Sequence, residues 1–291
     1  MGSGDLNGLR QTIARMRENQ EWQDRLFVIN CVIPKGQLHV LDQACEAEPL
    51  AADVCLLRCA LFSHLAREAR GTRTVEQTSD AQFRTAGGWL KEALREYERA
   101  SRLDAADPTP HAIVMTPLMI FGDMRERLRD AYLKATRLAP NFVSPHLVMV
   151  NAESERWGGS HDKSLHIARG AMLGVPGDTA VCLFWAHILV WTHILAFDRD
   201  QAKAQSYRKS PGILKELAQA FDAWIGEGYQ PRRSSVLYFH YPAFWFYVAG
   251  DRERLRKALS YTQGLFYESP WSIIGKAREV HAKAVKAAAA D

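Results

Sequence analysis

Tyr97-Glu98-Arg99-Ala100-Ser101-Arg102-Leu103 and Tyr132-Leu133-Lys134-Ala135-Thr136-Arg137-Leu138 align without a gap, 35 residues apart (97 to 132). The register continues to Pro110-His111 and Pro145-His146, again 35 apart. A looser third copy places Ile167, Gly170 and Leu173 at 35 residues beyond Tyr132, Ala135 and Leu138, with Pro176 falling 36 beyond Pro140. Self-similarity at such a period marks a repeat architecture, in which each unit buries its apolar face only by stacking on its neighbours. Within each copy a large residue followed three later by a small one puts a filler and a close-contact point on one helix face. The proline then ends that helix, because it cannot continue the hydrogen-bond ladder.

Outward from these copies the chain reads as helix after helix. Leu6, Leu9, Ile13 and Met16 recur at helical spacing and predict one helix over 5 to 31, broken by Pro34-Lys35-Gly36. Helices follow at 37 to 47 and 51 to 69, then a polar loop from Gly71 to Asp80 and a helix from Phe83 to Leu103. Asp107-Pro108-Thr109-Pro110 separates that helix from the pairs 110 to 121 with 123 to 138 and 144 to 157 with 160 to 173. Pro176-Gly177-Asp178 opens a long helix to Phe197, and Ser210-Pro211 caps another to Ile225. After a loop from Gly226 to Arg233, a pair at 235 to 249 and 251 to 265 is followed by an alanine-rich helix over 271 to 290. No strand-like alternation competes with this pattern. The expected fold is all-α, stacked antiparallel helical hairpins in one domain over 1 to 291. Divergent N-terminal helices run to 80, the clearest repeats occupy 83 to 200, and a C-terminal repeat with a capping helix fills 201 to 291.

Tyr132, Ala135 and Pro140 sit at the spacing of the aromatic, alanine and proline that close the second helix of a tetratricopeptide repeat. The chain resembles that family over about residues 85 to 190 and 235 to 270, and Gly122-Asp123 and Ala249-Gly250-Asp251 look like its inter-helix turns. It departs from the motif where an early first-helix Trp belongs, which is His111, His146 or Cys182 here, and where a Gly or Ala belongs, which is Met115 or Val150.

The resemblance implies an α-solenoid whose first helices line a concave face. Setting Pro140 at the motif's last position turns Asn151 and Glu155 inward. The same frame from Pro176 gives His187 and Trp191; counting back from Gly250-Asp251 gives His240, Phe244 and Tyr247; Tyr97 and Ala100 give Thr116 and Met119. Family members that clamp a peptide's C-terminal carboxylate resemble one another in using Lys, Arg and Asn on this face. The first helices here, from 110 to 197, carry no Lys and only Arg156 as a cation. An aromatic, histidine-bearing face suits an apolar small ligand, an amphipathic peptide or a partner protein instead. Aromatics and histidines at helical spacing also build cores, so Phe184-Trp185 and the run Tyr238 to Trp245 must bury most of their rings in any case.

Bulk composition narrows the classes. Of 291 residues 47% are hydrophobic and 24% charged, as in a globular rather than a disordered chain. The net charge of +4 is dispersed, and Arg232-Arg233 is typical of its short clusters, so no basic footprint for nucleic acid is evident. The most apolar stretches, Val181 to Phe197 and Val236 to Ala249, are interrupted by histidines and are shorter than the roughly 20 residues of a span. The start of the chain lacks a charged-then-apolar signal pattern, Met1-Gly2-Ser3-Gly4 reads as flexible, and Gly2 lacks the Ser or Thr of a myristoylation motif. Five irregularly spaced cysteines do not make a disulfide framework, and Cys55 and Cys59 read as small buried residues one turn apart. These features point to a soluble, cytoplasmic protein.

Known catalytic signatures are missing from the sequence. There is no His-Glu-x-x-His, Gly-rich phosphate loop, Gly-x-Ser-x-Gly elbow, dinucleotide fingerprint or Asp-Asp-x-x-Asp. His187 and His193, six apart, are rotated away from the spacing of helical metal ligands, so neither metal nor cofactor is expected. One segment stands out: Asn151-Ala152-Glu153-Ser154-Glu155-Arg156-Trp157-Gly158-Gly159-Ser160-His161. Glu153, Glu155, Arg156 and His161 beside Trp157 suit acid/base or charge-pairing work. The same letters also read as a helix end closed by Gly158-Gly159 with Ser160 capping the next helix. Its Trp-Gly-Gly-Ser-His turn resembles one in bacterial repeat proteins of unassigned function.

Three functions remain open. The first is a binding scaffold for a peptide, partner protein or apolar small ligand. The second is a small-molecule enzyme without nucleotide cofactor, using His187, His240, Glu155 and Tyr247 for proton transfer and Trp191 and Phe244 to hold substrate. The third is a homo-oligomer joined through the aromatic run 238 to 247. An open groove favours partners, whereas an enclosed cavity of a few hundred Å³ favours a small molecule.

Overall fold

Helix starts and stops follow local chemistry in a computed structural model, which describes residues 6–33, 38–71, 77–175 and 177–290. Met1-Gly2-Ser3-Gly4, the Pro34-Lys35-Gly36 breaker, residues 72–76 of the polar loop and Pro176 lie outside the described residues. Every regular element among the described residues is helical. The chain divides into two compact units, Met1–Val148 and Met149–Asp291, with the boundary inside the 83 to 200 stretch.

In the first unit the expected N-terminal helix is two, α1 (Leu6–Glu18) and α2 (Trp22–Val32). Gln20 adopts a left-handed φ of 56°. The Gln20 and Glu21 amides bond back to the Arg17 and Met16 carbonyls at 3.0 and 2.8 Å, the pairing of a Schellman cap. Without a glycine at that turn, hydrophobic periodicity runs across the break and conceals it. Then come α3 (Leu38–Ala47), α4 (Ala52–Arg70), α5 (Asp80–Leu103), α6 (Thr109–Ile120), α7 (Arg125–Leu138) and α8 (Val143–Ala152), the last crossing the boundary. Ser79 and Gln82 form a reciprocal capping box that starts α5 three residues before the expected Phe83. The α4 helix packs on α5 and α6, and α6 on α7. Ile13, Leu26, Ile29, Leu41, Leu57 and Phe142 meet in one apolar cluster. Cys55 and Cys59 sit in it as free thiols, and burial pushes them up to about 11 and about 12. A buried Arg25 donates to Asp107 at 2.6 Å, Thr109 Oγ1 at 2.7 Å and the Ile13 carbonyl at 2.9 Å, tying α1 and α2 to the start of α6.

The 35-residue period has a concrete physical basis. Tyr97 Oη lies 2.9 Å from His111 Nδ1, and Tyr132 Oη lies 3.0 Å from His146 Nδ1. The rings meet edge-on in both copies, at 5.3 and 5.5 Å between centroids. In both copies the preceding helix offers the histidine a tyrosine hydroxyl. In the third copy the two positions are Ile167 and Cys182, and this polar pairing is lost.

The second unit holds α9 (His161–Gly174), α10 (Val181–His193), α11 (Gln201–Arg208), α12 (Pro211–Trp224), α13 (Ser235–Tyr238), α14 (His240–Ala249), α15 (Arg252–Tyr261) and α16 (Ala277–Ala289). The α9 helix packs on α10, α14 on α15, and α15 on α16. The sequence signal missed α11, a short polar helix capped by the Asp200 carboxylate on the Lys203 amide at 2.8 Å. The α10 helix runs on into a π-helical turn, Ile194–Asp198, ended by Arg199 at φ 53°. With the 3-10 turn Asp178–Ala180 that precedes α10, the helical stretch Asp178–Asp198 is 21 residues long, which corrects the expectation: by length and composition it could cross a membrane. It lies as a core helix, most of its apolar stretch buried inside the chain. The aromatic run fills the same core. Trp224 stacks on Phe239 at 4.4 Å, Phe184 meets Phe246 at 5.7 Å, and Trp245 is wholly buried. Residues 239–246 are buried, Tyr238 and Tyr247 at the ends of the run are half-buried, and Trp245 has no exposed surface.

Candidate functional site

Four of the nine residues expected to face a ligand, His187, Trp191, His240 and Phe244, are buried. His240 is completely buried; its Nδ1 accepts from Trp271 Nε1 at 3.0 Å and its Nε2 donates to the Leu265 carbonyl at 3.0 Å. Burial lowers it to about 4, so it stays neutral with both nitrogens occupied. It holds α14 against the segment before α16 and is not free for proton transfer. Phe244 is fully buried between Trp191 at 5.9 Å and Trp271 at 5.7 Å, and Trp191 is itself buried. Tyr247 is half-buried, its ring 6.3 Å from Trp271. Trp191 and Phe244 belong to the core, with Tyr247 at its edge. Thr116 and Met119 lie half-buried on α6 in the first unit, and Asn151 half-buried near the end of α8.

His187 is buried in a polar chain. Its Nε2 lies 3.2 Å from Glu216 Oε2, and Arg169 grips the same carboxylate at 2.6 and 3.1 Å. Bonds from His187 first and Arg169 second draw Glu216 down to about 2, so it is ionised and Nε2 carries the proton. Nδ1 then accepts from Tyr207 Oη at 2.7 Å. Every partner is satisfied, which fits a fastener between α10, α11 and α12.

A partly open pocket does exist, and the Asn151 to His161 segment forms one side of it. After α8, a 3-10 turn Glu155–Trp157 ends at Gly158 in the left-handed region, φ 77°. The Gly159 and Ser160 amides then bond back to the Ser154 and Glu153 carbonyls at 3.0 and 2.9 Å. A Cβ on Gly159 would fall 1.9 Å from the Glu153 carbonyl oxygen, so only glycine permits this closure. Ser160 caps α9 by accepting from the Lys163 amide at 3.2 Å and sets His161 at the first position of that helix. The capping reading of the segment and its polar density are therefore compatible.

The end of α10 supplies the facing wall. The π-helical turn inserts an extra residue per turn, which lets His193, Phe197 and Asp198 converge. Phe197 stacks on the His193 ring at 5.0 Å, and Asp198 Oδ1 lies 3.6 Å from His193 Nε2. Lys203 Nζ holds the same aspartate at 2.9 Å and lowers it. His161 and His193 meet edge-on at 5.1 Å. Together with Ser154, Glu155, Arg156, Leu189, Val190 and Phe197 they line a cavity of about 200 Å³. His161 Nε2 and His193 Nδ1 are both buried with no hydrogen-bond partner among the described residues. Burial is the main cause lowering His161, countered by Glu155 and assisted by its histidine neighbour, so it presents a neutral ring.

The two unpartnered imidazole nitrogens can each make one hydrogen bond to a molecule in the cavity, with Arg156 and Glu155 at its edge. Among the described residues no three potential metal ligands come together. Of the residues expected on the concave face, only Glu155 lines this space, joined by Arg156 and His161 of the polar segment; His187, Trp191, His240, Phe244 and Tyr247 do not. The sequence reading missed His193, Phe197 and Asp198. The first two are four apart, a same-face helical spacing, but bringing in Asp198 required the π-helical turn. No family model matches the chain, and no curated protein matches it.

Proposed function

We propose that this chain is a tetratricopeptide-like helical-repeat protein that binds a compact, polar small molecule in the cavity between the 154 to 161 turn and the end of α10. The duplicated Tyr–His contact at a 35-residue period supports the repeat reading. A single observation carries the ligand reading: the two adjacent, buried imidazole nitrogens without partners. Leaving a buried polar group unsatisfied costs about 1–3 kcal/mol, and a ligand that hydrogen-bonds both recovers that cost on binding. Burial of the aromatic face removes the main argument for a peptide groove. The ligand therefore carries hydrogen-bonding groups on one side and an apolar edge that meets Phe197 and Leu189 on the other. Ligand-observed NMR with a library of small neutral polar compounds tests this. Hits must compete with one another and disappear with His161→Phe and His193→Phe; hits that bind both variants as well as the parent chain refute it.

One feature favours a second reading, acid/base catalysis on the same ligand. His193 has a carboxylate on its Nε2 side and an unpartnered Nδ1, the arrangement of an oriented general base. Turnover of a bound compound that is lost in His193→Gln while binding persists would select this reading over simple binding.

A further inference from the structure

The two best copies of the repeat serve as controls for each other, and they differ at one place. In the second copy both nitrogens of His146 and the Thr136 hydroxyl are hydrogen-bonded. His146 Nε2 donates to the Pro140 carbonyl at 2.9 Å, and Thr136 Oγ1 donates to the Tyr132 carbonyl at 2.9 Å. In the first copy the equivalent residues are His111 and Ser101. His111 is bonded only through Nδ1 to Tyr97, and Ser101 Oγ is buried with no partner among the described residues. Both line a cavity of about 520 Å³ in the first unit, with Arg102, Lys134, Arg137, Glu98, Ala105 and Leu138 around them.

The charges on this wall are unbalanced. Arg102 and Arg137 are exposed, occupy equivalent repeat positions, and have no acidic partner among the described residues. Lys134 is held by Asp130 at 2.7 Å, and Glu98 is the one acid on the lining. His111 is lowered to about 4 by burial and then by Lys134, so its ring is neutral. With Nδ1 accepting from Tyr97, its Nε2 carries a proton, by analogy with His146. The lining thus offers two guanidinium forks, an N–H and a hydroxyl, all donors, beside the apolar faces of Leu138, Ala105 and Tyr97. Arginine forks match the geometry of phosphate and carboxylate oxygens.

We infer that this cavity is an oxyanion-binding site for a phosphate or carboxylate borne on a compact apolar body, recognised by Arg102, Arg137, His111 and Ser101. It belongs to the second helices, α5 and α7, with His111 from α6, and is independent of the imidazole cavity in the second unit.

Isothermal titration calorimetry on the full chain tests it with four probes: inorganic phosphate, phenyl phosphate, acetate and benzoate. The expected result is saturable 1:1 binding of at least one aromatic anion, tighter than its inorganic or acetate counterpart and weakened by salt. The phosphate and carboxylate arms decide which oxyanion is preferred. Arg102→Gln with Arg137→Gln, both exposed and so compatible with folding, should weaken binding by about tenfold or more. His161→Phe, in the other cavity, should leave it unchanged, which separates this site from the one proposed above. No saturable binding of any probe, or equal binding by the double arginine variant, overturns the inference.

Discussion

Replacing His193 by Phe should make the protein more stable while abolishing ligand binding. The ring already stacks on Phe197 at 5.0 Å and faces a cavity of about 200 Å³, so a slightly larger ring has room and an aromatic neighbour. The substitution removes a buried Nδ1 that has no partner among the described residues. Relief of such a group is worth about 1–3 kcal/mol. Two losses reduce the gain. The contact with Asp198 is long, at 3.6 Å, and solvent-screened, so it contributes little. Part of the imidazole's exposed edge also becomes apolar. The net expectation is a stabilisation of about 1 kcal/mol, or roughly 2–4 °C in Tm for a chain of this size. Urea and thermal unfolding followed by far-UV circular dichroism measure it. A destabilisation of similar size would mean that Nδ1 has a partner within the protein, and the argument that it awaits a ligand would fail.

Other consequences are as direct. Arg25→Met strands the buried Asp107 carboxylate and should cost about 3–5 kcal/mol, most of it restored by adding Asp107→Leu; equal unfolding midpoints for parent and single variant would contradict this. His111 and His240 are lowered from the ordinary 6.5 to about 4, so the folded state favours their neutral forms. The unfolded chain takes up those protons first. Stability is therefore complete above pH 6.5 and falls by up to about 3 kcal/mol per histidine as pH drops from 6.5 to 4. Histidine NMR titrations showing either ring at its ordinary value would remove that contribution. Gly159→Ala forces the turn apart, because its Cβ meets the Glu153 carbonyl oxygen at 1.9 Å. It should cost about 2 kcal/mol or more and disrupt the imidazole cavity, measured by unfolding and by loss of small-molecule hits.

The all-helical character and the 35-residue spacing of two Tyr–His contacts were legible because their causes are local. Tyr97 with His111, and Tyr132 with His146, leave a fixed spacing in the sequence, and prolines mark the helix ends beside them. The break between α1 and α2 was hidden because Gln20 takes a left-handed conformation with no glycine to announce it. At the candidate site, Glu155, Arg156 and His161 stood out by polar density, whereas His193, Phe197 and Asp198 did not. Their convergence depends on a π-helical turn, which a regular helical period cannot foresee. His187, Trp191, His240 and Phe244 were drawn toward a binding face by the tetratricopeptide frame. Hydrophobic period alone does not separate an inner face from a core, and here the hydrogen bonds of His187 and His240 and the ring packing of Trp191 and Phe244 assign them to the core.

The most direct test of the cavity's role is the side-chain ¹⁵N spectrum of His161 and His193 at neutral pH, assigned with the His161→Phe and His193→Phe variants. One unbonded imidazole nitrogen is expected from each residue in the free chain, both shifting to hydrogen-bonded values when a library hit is added. Two nitrogens already hydrogen-bonded in the free chain, or a hit that leaves both signals in place, would contradict it.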